Sequence, residues 1–525
     1  MCTMQTLLRV IVIGVFFFIA GLFASAYMSY AAKERQVAED TKRREALFAD
    51  ILEGASTGDT SITTVYTEPI STGSPLIFGG SHSPNVEHVD AWNQLEEIGV
   101  TSIRKDLFPE KAIPNTTIAD YKANKNGVAD VKNWNQQELK AIEDIFVNAR
   151  KRNMKTIGIL AYTPGWLTYT GTGNGVPKDW DIFADIAKKA YRVHRDNLDY
   201  LEIWNEPTFD YFLNLKDSNL QRDEAYKKMF EVTVKAIREV DTEINDGKRI
   251  KIGGPVSHRP FDTAPLEAIL KEPDLAKELD FIRYHNYDAE HLEEPSDVFF
   301  KAVLEKYDKQ DLPILITEWN HMPNDSKADP LNTGIDAILY TANKFIGFMK
   351  MGLIGANYHV LEPLNTRKPD GGVGYYGFYS WAGDKAALVP QARTWRLFSN
   401  KMGLAKGESQ VYEATFSDDI ENISSVAFKN SENQYGMVVL NKSEESDTVE
   451  INLHNTGIEH YAKVEIYSAT EDNEAKEPVY TGLMKSQDGS FAFRYPIPAQ
   501  SVVGITVKEE KEWFERLPVD INKLF

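Results

Sequence analysis

The chain has 525 residues, which is too long for one ordinary domain and long enough to bury a large hydrophobic core. Its formal charge of −20 argues against nucleic acids and anionic membrane surfaces as partners. The single cysteine, Cys2, excludes an intrachain disulfide and a cysteine-based metal site.

An apolar run from Leu7 to Met28 dominates the start of the chain. It fits the hydrophobic part of a signal peptide, with small residues at Ala24-Ser25-Ala26 for cleavage, and it is just long enough for a membrane anchor. Residues 1–32 are therefore predicted to be a signal peptide or a membrane anchor, with membrane attachment through residues 7–28 as one outcome. The run is followed by basic residues, which argue against a retained anchor in an exported chain: Lys33, Arg35, Lys42, Arg43 and Arg44.

Residues 33–74 are predicted to form a helical stalk followed by a linker. The first part is charged and amphipathic, and the second part is rich in Thr, Ser and Gly. Residues 61–66 within the linker favour a strand, which is a candidate to pair with the carboxyl-terminal domain.

Strand-like and helix-like segments alternate over residues 75–403. The predicted strands are Leu76–Gly79, Thr101–Lys105, Lys155–Tyr162, Asp199–Trp204, Ile250–Gly254, Asp280–His285, Pro313–Thr317 and Leu353–Val360. Eight such units predict an α/β fold with a closed (β/α)8 TIM barrel. A doubly wound open sheet is the alternative, but no Gly-rich phosphate fingerprint follows an early strand.

The alternation of strand-like and helix-like segments ends near residue 404. Short strands separated by polar turns run to residue 510, a pattern typical of an antiparallel β-sandwich. Residues 511–525 are assigned to a carboxyl-terminal tail.

Two of the predicted barrel strands have a glutamate at their carboxyl end. Residues 198–207 read Leu-Asp-Tyr-Leu-Glu-Ile-Trp-Asn-Glu-Pro, and the strand stops at Glu206 because Pro207 cannot continue a ladder. Residues 312–320 have the same arrangement, with Glu318 at the end of an apolar run. Barrel enzymes carry their catalytic side chains at this edge. One such acid alone could be a structural cap, but two in matching positions favour a catalytic pair.

These motifs resemble the clan A retaining glycoside hydrolases, and within the clan they look most like glycoside hydrolase family 39. That family includes β-xylosidases, α-L-iduronidases and bacterial exopolysaccharide hydrolases. The resemblance covers roughly residues 75–510 and implies that Glu206, after Asn205, is the acid/base and that Glu318 is the nucleophile. Where the family often has a histidine after the second strand, this chain has Lys105-Asp106.

Elementary chemistry supports the same pair. Hydrolysis with retention needs two carboxyl groups about 5–5.5 Å apart, one protonated and one ionised. Their proximity is expected to raise the pKa of one of them, which would supply the acid. Asn205 is expected to hydrogen-bond the sugar 2-hydroxyl.

Further residues are candidates for substrate binding, with core packing as the alternative for each. His285 and Tyr287 end the sixth strand, where the resemblance to clan A implies a His or Tyr beside the nucleophile, so one or the other is expected to touch Glu318. Arg104 on the second strand is expected to brace Glu318 or Asn205, since a buried arginine needs a carboxylate or amide partner. The candidate sugar platforms are Tyr162, Trp166, Trp319 and, in the long loop after the eighth strand, Trp381. Arg259, Arg283, Lys385 and His258 could grip a carboxylated sugar, although charged loop residues are more often only solvated.

The sequence thus predicts an exported hydrolase of O-glycosyl compounds that needs no cofactor and no metal. Its expected partner is a poly- or oligosaccharide, most simply a β-linked one, and its expected location is secreted, periplasmic or anchored outside the cytoplasm. Two alternatives remain open: an inactive carbohydrate-binding or scaffold protein on the same fold, and a transglycosylase.

Overall fold

The computed structural model describes residues 28–46, 60–287, 297–321, 334–362, 378–382, 385–417 and 422–510, with the backbone alone for residues 379–382 and 385–387. The chain divides into two compact units. The barrel unit comprises residues 70–411 and 469–474, and the sandwich unit comprises residues 1–69, 412–468 and 475–525. The barrel unit is therefore inserted in sequence between two parts of the sandwich unit.

The amino-terminal elements are a helix at residues 28–46 (α1) and the strands Ser61–Val65 (β1) and Ser71–Gly73 (β2). From the sequence we predicted a helical stalk here. The described part of α1 instead contacts other elements of the sandwich unit. The carboxylate of Asp40 accepts a hydrogen bond from the backbone N–H of Leu483 at 2.8 Å. Glu34 pairs with Lys485 at 2.6 Å, also within the sandwich unit.

Eight parallel strands close the barrel in the order β10-β3-β4-β5-β6-β7-β8-β9. They are Gly79–Ser81 (β3), Ser102–Asp106 (β4), Lys155–Leu160 (β5), Tyr200–Ile203 (β6), Lys251–Ser257 (β7), Phe281–Asn286 (β8), Ile314–Trp319 (β9) and Gly355–Tyr358 (β10). Every neighbouring pair in the closed sheet is parallel. The predicted (β/α)8 barrel is confirmed.

The first barrel strand begins later than predicted. Residues Pro75–Phe78 form a 3-10 turn, because Pro75 fixes a helical φ and the Ser74 hydroxyl accepts from the N–H of Leu76. The strand that follows starts with Gly79, where a Cβ atom would lie 2.1 Å from the Ser102 hydroxyl oxygen. A larger residue would separate β3 from β4.

The α-helices of the barrel unit follow the strands. They are Val89–Glu97 (α2), Pro109–Ala112 (α3), Ile118–Lys122 (α4), Gln136–Lys151 (α5), Trp180–His194 (α6), Arg222–Ile244 (α7), Ala264–Leu270 (α8), Pro273–Ala276 (α9), Val298–Lys306 (α10), Gly334–Met351 (α11) and Ala392–Arg396 (α12). Side chains cap α5 and α6. The side chain of Asn135 accepts backbone N–H hydrogen bonds at the start of α5, and that of Asp179 accepts one at the start of α6. α8 and α9 are two helices and not one, because Pro273 starts a new helix and cannot lie inside α8.

Short strands complete the chain. They are Tyr379–Ala382 (β11), Lys385–Leu388 (β12), Ser409–Tyr412 (β13), Thr415–Phe416 (β14), Ile423–Lys429 (β15), Tyr435–Asn441 (β16), Asp447–His454 (β17), Tyr461–Ala469 (β18), Tyr480–Lys485 (β19), Phe491–Ile497 (β20) and Ser501–Glu509 (β21). β11 pairs with β12, and β2 with β13, both antiparallel.

The sandwich unit has one sheet in the order β14-β1-β17-β20 and a second that contains β19-β18-β21-β16-β15. Val449, Ile451 and Leu453 alternate with more exposed neighbours along β17 and lie in the core between the sheets. The predicted sandwich is confirmed. β16 pairs antiparallel with β15 and with β21, β17 with β20 and β18 with β19, whereas β1, the strand expected from residues 61–66, pairs parallel with β17.

Among the described residues, no helix combines the length and apolar character needed to span a membrane. Of the segment predicted to be a signal peptide or anchor, residues 1–32, only residues 28–32 are described, and they form the start of α1.

Candidate active site

Two glutamates converge at the carboxyl end of the barrel strands. Glu206 lies just beyond β6, Glu318 lies within β9, and both side chains are buried. Both line one cavity of about 570 Å³. The other residues that line it are His82, Asp106, Phe108, Tyr162, Asn205, Phe209, Phe212, His258, Arg259, Tyr287 and His359.

The backbone that carries Glu206 leaves β6 through a strained bend. Trp204 has a φ of 67° and Glu206 a φ of 41°, in the left-handed region that costs a residue with a side chain about 1–3 kcal/mol. The buried indole of Trp204 holds the bend, because its Nε1 donates to the carbonyl of Phe212 at 3.0 Å. The bend turns the Glu206 carboxylate into the cavity.

The two carboxyl groups are close together. One carboxylate oxygen of Glu206, one of Glu318 and a ring nitrogen of His285 all lie within 4.8 Å of one another. Inverting glycosidases need about 6.5–9.5 Å between their carboxyl groups to admit a water, whereas retaining ones need about 5–5.5 Å. The approach of one oxygen of each residue to within 4.8 Å favours the spacing of retaining enzymes.

Glu318 is held as an anion. Its Oε1 accepts from Nη1 of Arg104 at 2.6 Å, and its Oε2 accepts from the Tyr287 hydroxyl. Burial alone would raise the pKa of Glu318, but His285, His359 and Arg104 outweigh it and hold that pKa well below its ordinary value. The guanidinium of Arg104 is permanently charged, whereas burial lowers the pKa of His359 to about 4.

A buried carboxylate behind the cavity positions Arg104. Glu202 on β6 is fully buried, and its Oε2 lies 2.9 Å from Nε and 2.8 Å from Nη2 of Arg104. The same oxygen lies 2.5 Å from Nη1 of Arg283 on β8. Arg283 is therefore part of this internal network and lies outside the cavity lining. Glu202 was not singled out from the sequence, although a charged residue inside an apolar strand is the signal that could have found it.

Glu206 lies against two histidines. Nδ1 of His285 is 2.6 Å, and Nδ1 of His258 is 3.0 Å, from the same oxygen, Oε1. Burial raises the pKa of Glu206, but His285 and His258 outweigh it, so the net pKa lies below its ordinary value. From the sequence we expected the carboxylate of Glu318 to raise the pKa of Glu206. Glu318 does act in that direction, but its effect is smaller than that of the histidines.

Arg104 also reaches the residue before the acid. Its Nη2 donates to Oδ1 of Asn205 at 3.2 Å, so the guanidinium touches Glu318 and Asn205 together, as well as Glu202. His285 lies 3.5 Å from Glu318 and Tyr287 hydrogen-bonds it, so both candidates for the residue beside Glu318 are found there.

The predicted sugar platforms have different positions. Tyr162 lines the cavity. Trp166 does not line it and packs against Tyr121 with ring centroids 5.4 Å apart. Trp319 is fully buried and stacks on Trp395 at 6.1 Å, so it has no face to offer a sugar.

The side chains of Trp381 and Lys385 lie outside the described part of the structure. Of the positively charged candidates, His258 and Arg259 line the cavity.

Glu206, His285 and Glu318 offer three donor atoms of the kinds that bind metal ions. The guanidinium of Arg104, 2.6 Å from Glu318, already neutralises the carboxylate that a divalent cation would need. The donor set fits proton transfer better than metal binding.

Residues 78–350 match a family described as cellulase, glycosyl hydrolase family 5, over more than half of the chain. The chain belongs to this family. Residues 409–505 match the glycosyl hydrolase family 30 β-sandwich domain. No curated protein matches the sequence at a significant level.

Solved structures share the two-domain fold at low sequence identity. A family 30 subfamily 8 xylanase from Clostridium acetobutylicum is 14% identical, with a TM-score of 0.59, over 85% of this chain and 99% of that one. A family 39 enzyme from Xanthomonas axonopodis pv. citri is 13% identical, with a TM-score of 0.60, over 86% and 97%. A monomeric β-xylosidase from Caulobacter crescentus CB15 is 14% identical, with a TM-score of 0.57, over 86% and 100%.

This member of the cellulase family is a glycosidase of clan A, as the two motifs predicted. Family 39 in particular is not confirmed. That finer assignment stays a prediction.

Proposed function

We propose that the chain is a retaining glycosidase acting on a β-linked poly- or oligosaccharide, with Glu318 as nucleophile and Glu206 as acid/base. The observation that carries the proposal is the close pair of carboxylates in one cavity, with different surroundings. Glu318 is fixed as an anion by Arg104 and Tyr287, whereas Glu206 faces two groups that can exchange a proton, His285 and His258.

In the first step a carboxylate oxygen of Glu318 bonds to the anomeric carbon as the glycosidic C–O bond breaks. Glu206 donates its proton to the departing oxygen, so the leaving group departs as a neutral alcohol. Arg104 keeps Glu318 ionised and oriented before the attack.

In the second step a water oxygen bonds to the same carbon and the ester to Glu318 breaks, which restores the carboxylate. Glu206 accepts the proton of that water, and the original configuration is regained after two inversions. Oδ1 of Asn205 already accepts from Arg104, so its amide nitrogen is left to donate towards the sugar 2-hydroxyl.

The names of similar structures support the substrate class. They include xylanases, a glucosidase and a β-xylosidase. We propose a neutral β-glycoside on that basis.

The test compares wild type with Glu318→Gln and the surface control Glu305→Gln on aryl β-glycosides and plant and bacterial polysaccharides. Proton NMR of the first-formed product should show the β-anomer. Azide added to Glu318→Ala should give the α-glycosyl azide, and added to Glu206→Ala the β-glycosyl azide.

A first-formed α-anomer would contradict retention. Tight polysaccharide binding without turnover would favour the alternative of a binding protein, and sugar transfer products in place of free sugar would favour a transglycosylase.

We also propose that residues 7–28 direct export, since their apolar run fits a signal peptide or anchor. Fractionation of cells that make the full chain, with mass spectrometry of the mature amino terminus, tests this. Full-length protein confined to the cytosol would contradict it.

A further inference from the structure

An exposed aromatic group lies beside the acid/base. Phe209 is 45% exposed and Tyr211 is 71% exposed, and both belong to the loop at residues 204–221 between β6 and α7. Large apolar rings on a surface lose free energy unless something covers them. Phe209 and Phe212 also line the cavity that holds the two glutamates.

The loop is braced, so the rings are held in place. Nη1 of Arg222 donates to the carbonyls of Pro207 and Leu213, both at 2.9 Å. The same guanidinium reaches Asp210 through Nη2. Within the loop, the N–H of Phe209 donates to the carbonyl of Glu206 at 3.0 Å. The position of Phe209 is therefore fixed relative to the acid.

Contacts place this aromatic surface on the proton-donor side of the cavity. The ring of His258 stacks on Phe209 with centroids 5.0 Å apart and planes 15° apart. Nδ1 of His258 touches Oε1 of Glu206 at 3.0 Å. The backbone N–H of His258 donates to the Thr208 hydroxyl at 3.1 Å, which ties the two loops together.

We infer that Phe209, with Phe212 beside it, forms the platform for the leaving group, and that its occupant is the sugar ring departing from Glu206. The inference rests on the proposed function, because the acid protonates the oxygen that links the two sugars. The departing ring must then lie beyond Glu206, on the side where Phe209 is exposed. A pyranose has an apolar C–H face, and a flat aromatic ring is the surface that such a face covers best.

The experiment compares two substrates that share the glycone cleaved by wild type. One is the methyl glycoside, whose leaving group has no ring, and the other is the disaccharide. Both leave as poorly acidic alcohols, so both depend on the proton of Glu206. The ratio of their kcat/KM values therefore isolates binding of the leaving ring from acid catalysis.

Phe209→Ala is expected to lower the ratio of disaccharide to methyl glycoside kcat/KM roughly tenfold, as loss of contact with one ring face predicts. Phe209→Leu keeps an apolar side chain without a flat ring and is expected to lower the ratio less. The control is Phe299→Ala, which removes an aromatic that is 51% exposed but outside the cavity lining, and the ratio should stay at the wild-type value.

An equal loss on both substrates in Phe209→Ala would overturn the inference, since it would mean that Phe209 only supports Glu206 through His258. An unchanged ratio would overturn it as well. Failure of the proposed function looks different, because wild type would then hydrolyse neither substrate.

Discussion

Nη1 of Arg104 lies 2.6 Å from Oε1 of Glu318, and the same guanidinium reaches Glu202 through Nε and Nη2. Glu318, the proposed nucleophile, is thus connected through one arginine to a carboxylate in the barrel interior. Because a planar guanidinium presents its donors in a fixed fork, the position of Glu202 sets the direction in which Arg104 points at Glu318.

Glu318→Gln is expected to lower kcat/KM at least about a thousandfold, because an amide oxygen is a far weaker nucleophile than a carboxylate. Steady-state kinetics on the responsive glycoside measure this. Glu305→Gln makes the same change at an exposed position and should keep wild-type activity. Residual activity near the wild-type level in Glu318→Gln would assign the nucleophile to another residue.

Glu202→Gln is expected to destabilise the protein by about 3–5 kcal/mol, the usual cost of removing one partner from a buried ion pair. The reason is that Arg283 would lose its counter-ion and face Arg104, which would keep only its pair with Glu318. Equilibrium unfolding in urea measures the change in free energy. Glu239→Gln, which breaks a surface pair with Lys188, should cost less than about 1 kcal/mol. A cost for Glu202→Gln as small as that of the control would mean that water enters this network.

His258→Gln is expected to shift the pH dependence of kcat/KM. His258 lowers the pKa of Glu206, so its removal should raise that pKa. Glu206 then keeps its proton to a higher pH. The decrease of kcat/KM on the alkaline side of the profile should therefore shift to a higher pH. A pH profile of kcat/KM measures the shift. His460→Gln, at an exposed position in the sandwich unit, should leave the profile unchanged, whereas a downward shift in His258→Gln would contradict the assigned contact.

Asp106→Asn is expected to lower kcat/KM roughly tenfold, with the loss appearing in KM more than in kcat. Asp106 is nearly buried, lines the cavity and has no hydrogen-bond or ion-pair partner within the described ranges. Its carboxylate is therefore placed to accept hydrogen bonds from sugar hydroxyls. Asp311→Asn, on the exposed surface, serves as the control. An unchanged KM in Asp106→Asn would show that the sugar does not reach this residue.

Much of the fold could be read from the sequence, because the barrel strands are apolar runs separated by amphipathic helices. The first strand could not be placed correctly, since the turn made by Ser74 and Pro75 is set by a local cap rather than by hydrophobic pattern. The meeting of Glu206 and Glu318 at one edge of the barrel followed from the strand order, whereas the placement of Tyr287 beside Glu318 followed from the resemblance to clan A.

Contacts that cross the barrel were harder to predict. Glu202 meets Arg104 and Arg283 because of the stagger between strands, which no local pattern reveals. Trp319 was a different case. Successive residues of a strand point to opposite faces, so Glu318 directed into the barrel mouth already implies that Trp319 points outward to the helices.

The parallel pairing of β1 with β17 has a consequence for biosynthesis. Ile62 pairs with Ile451, about 390 residues later, so at about 5–20 residues per second β1 waits roughly 20–80 s on the ribosome for its neighbour. The whole barrel emerges in that interval and can fold first. A fragment that starts after the barrel would lack β1 and leave β17 without one of its two partners. The sheet that contains β1 and β17 can thus be completed only after all the barrel strands have been made.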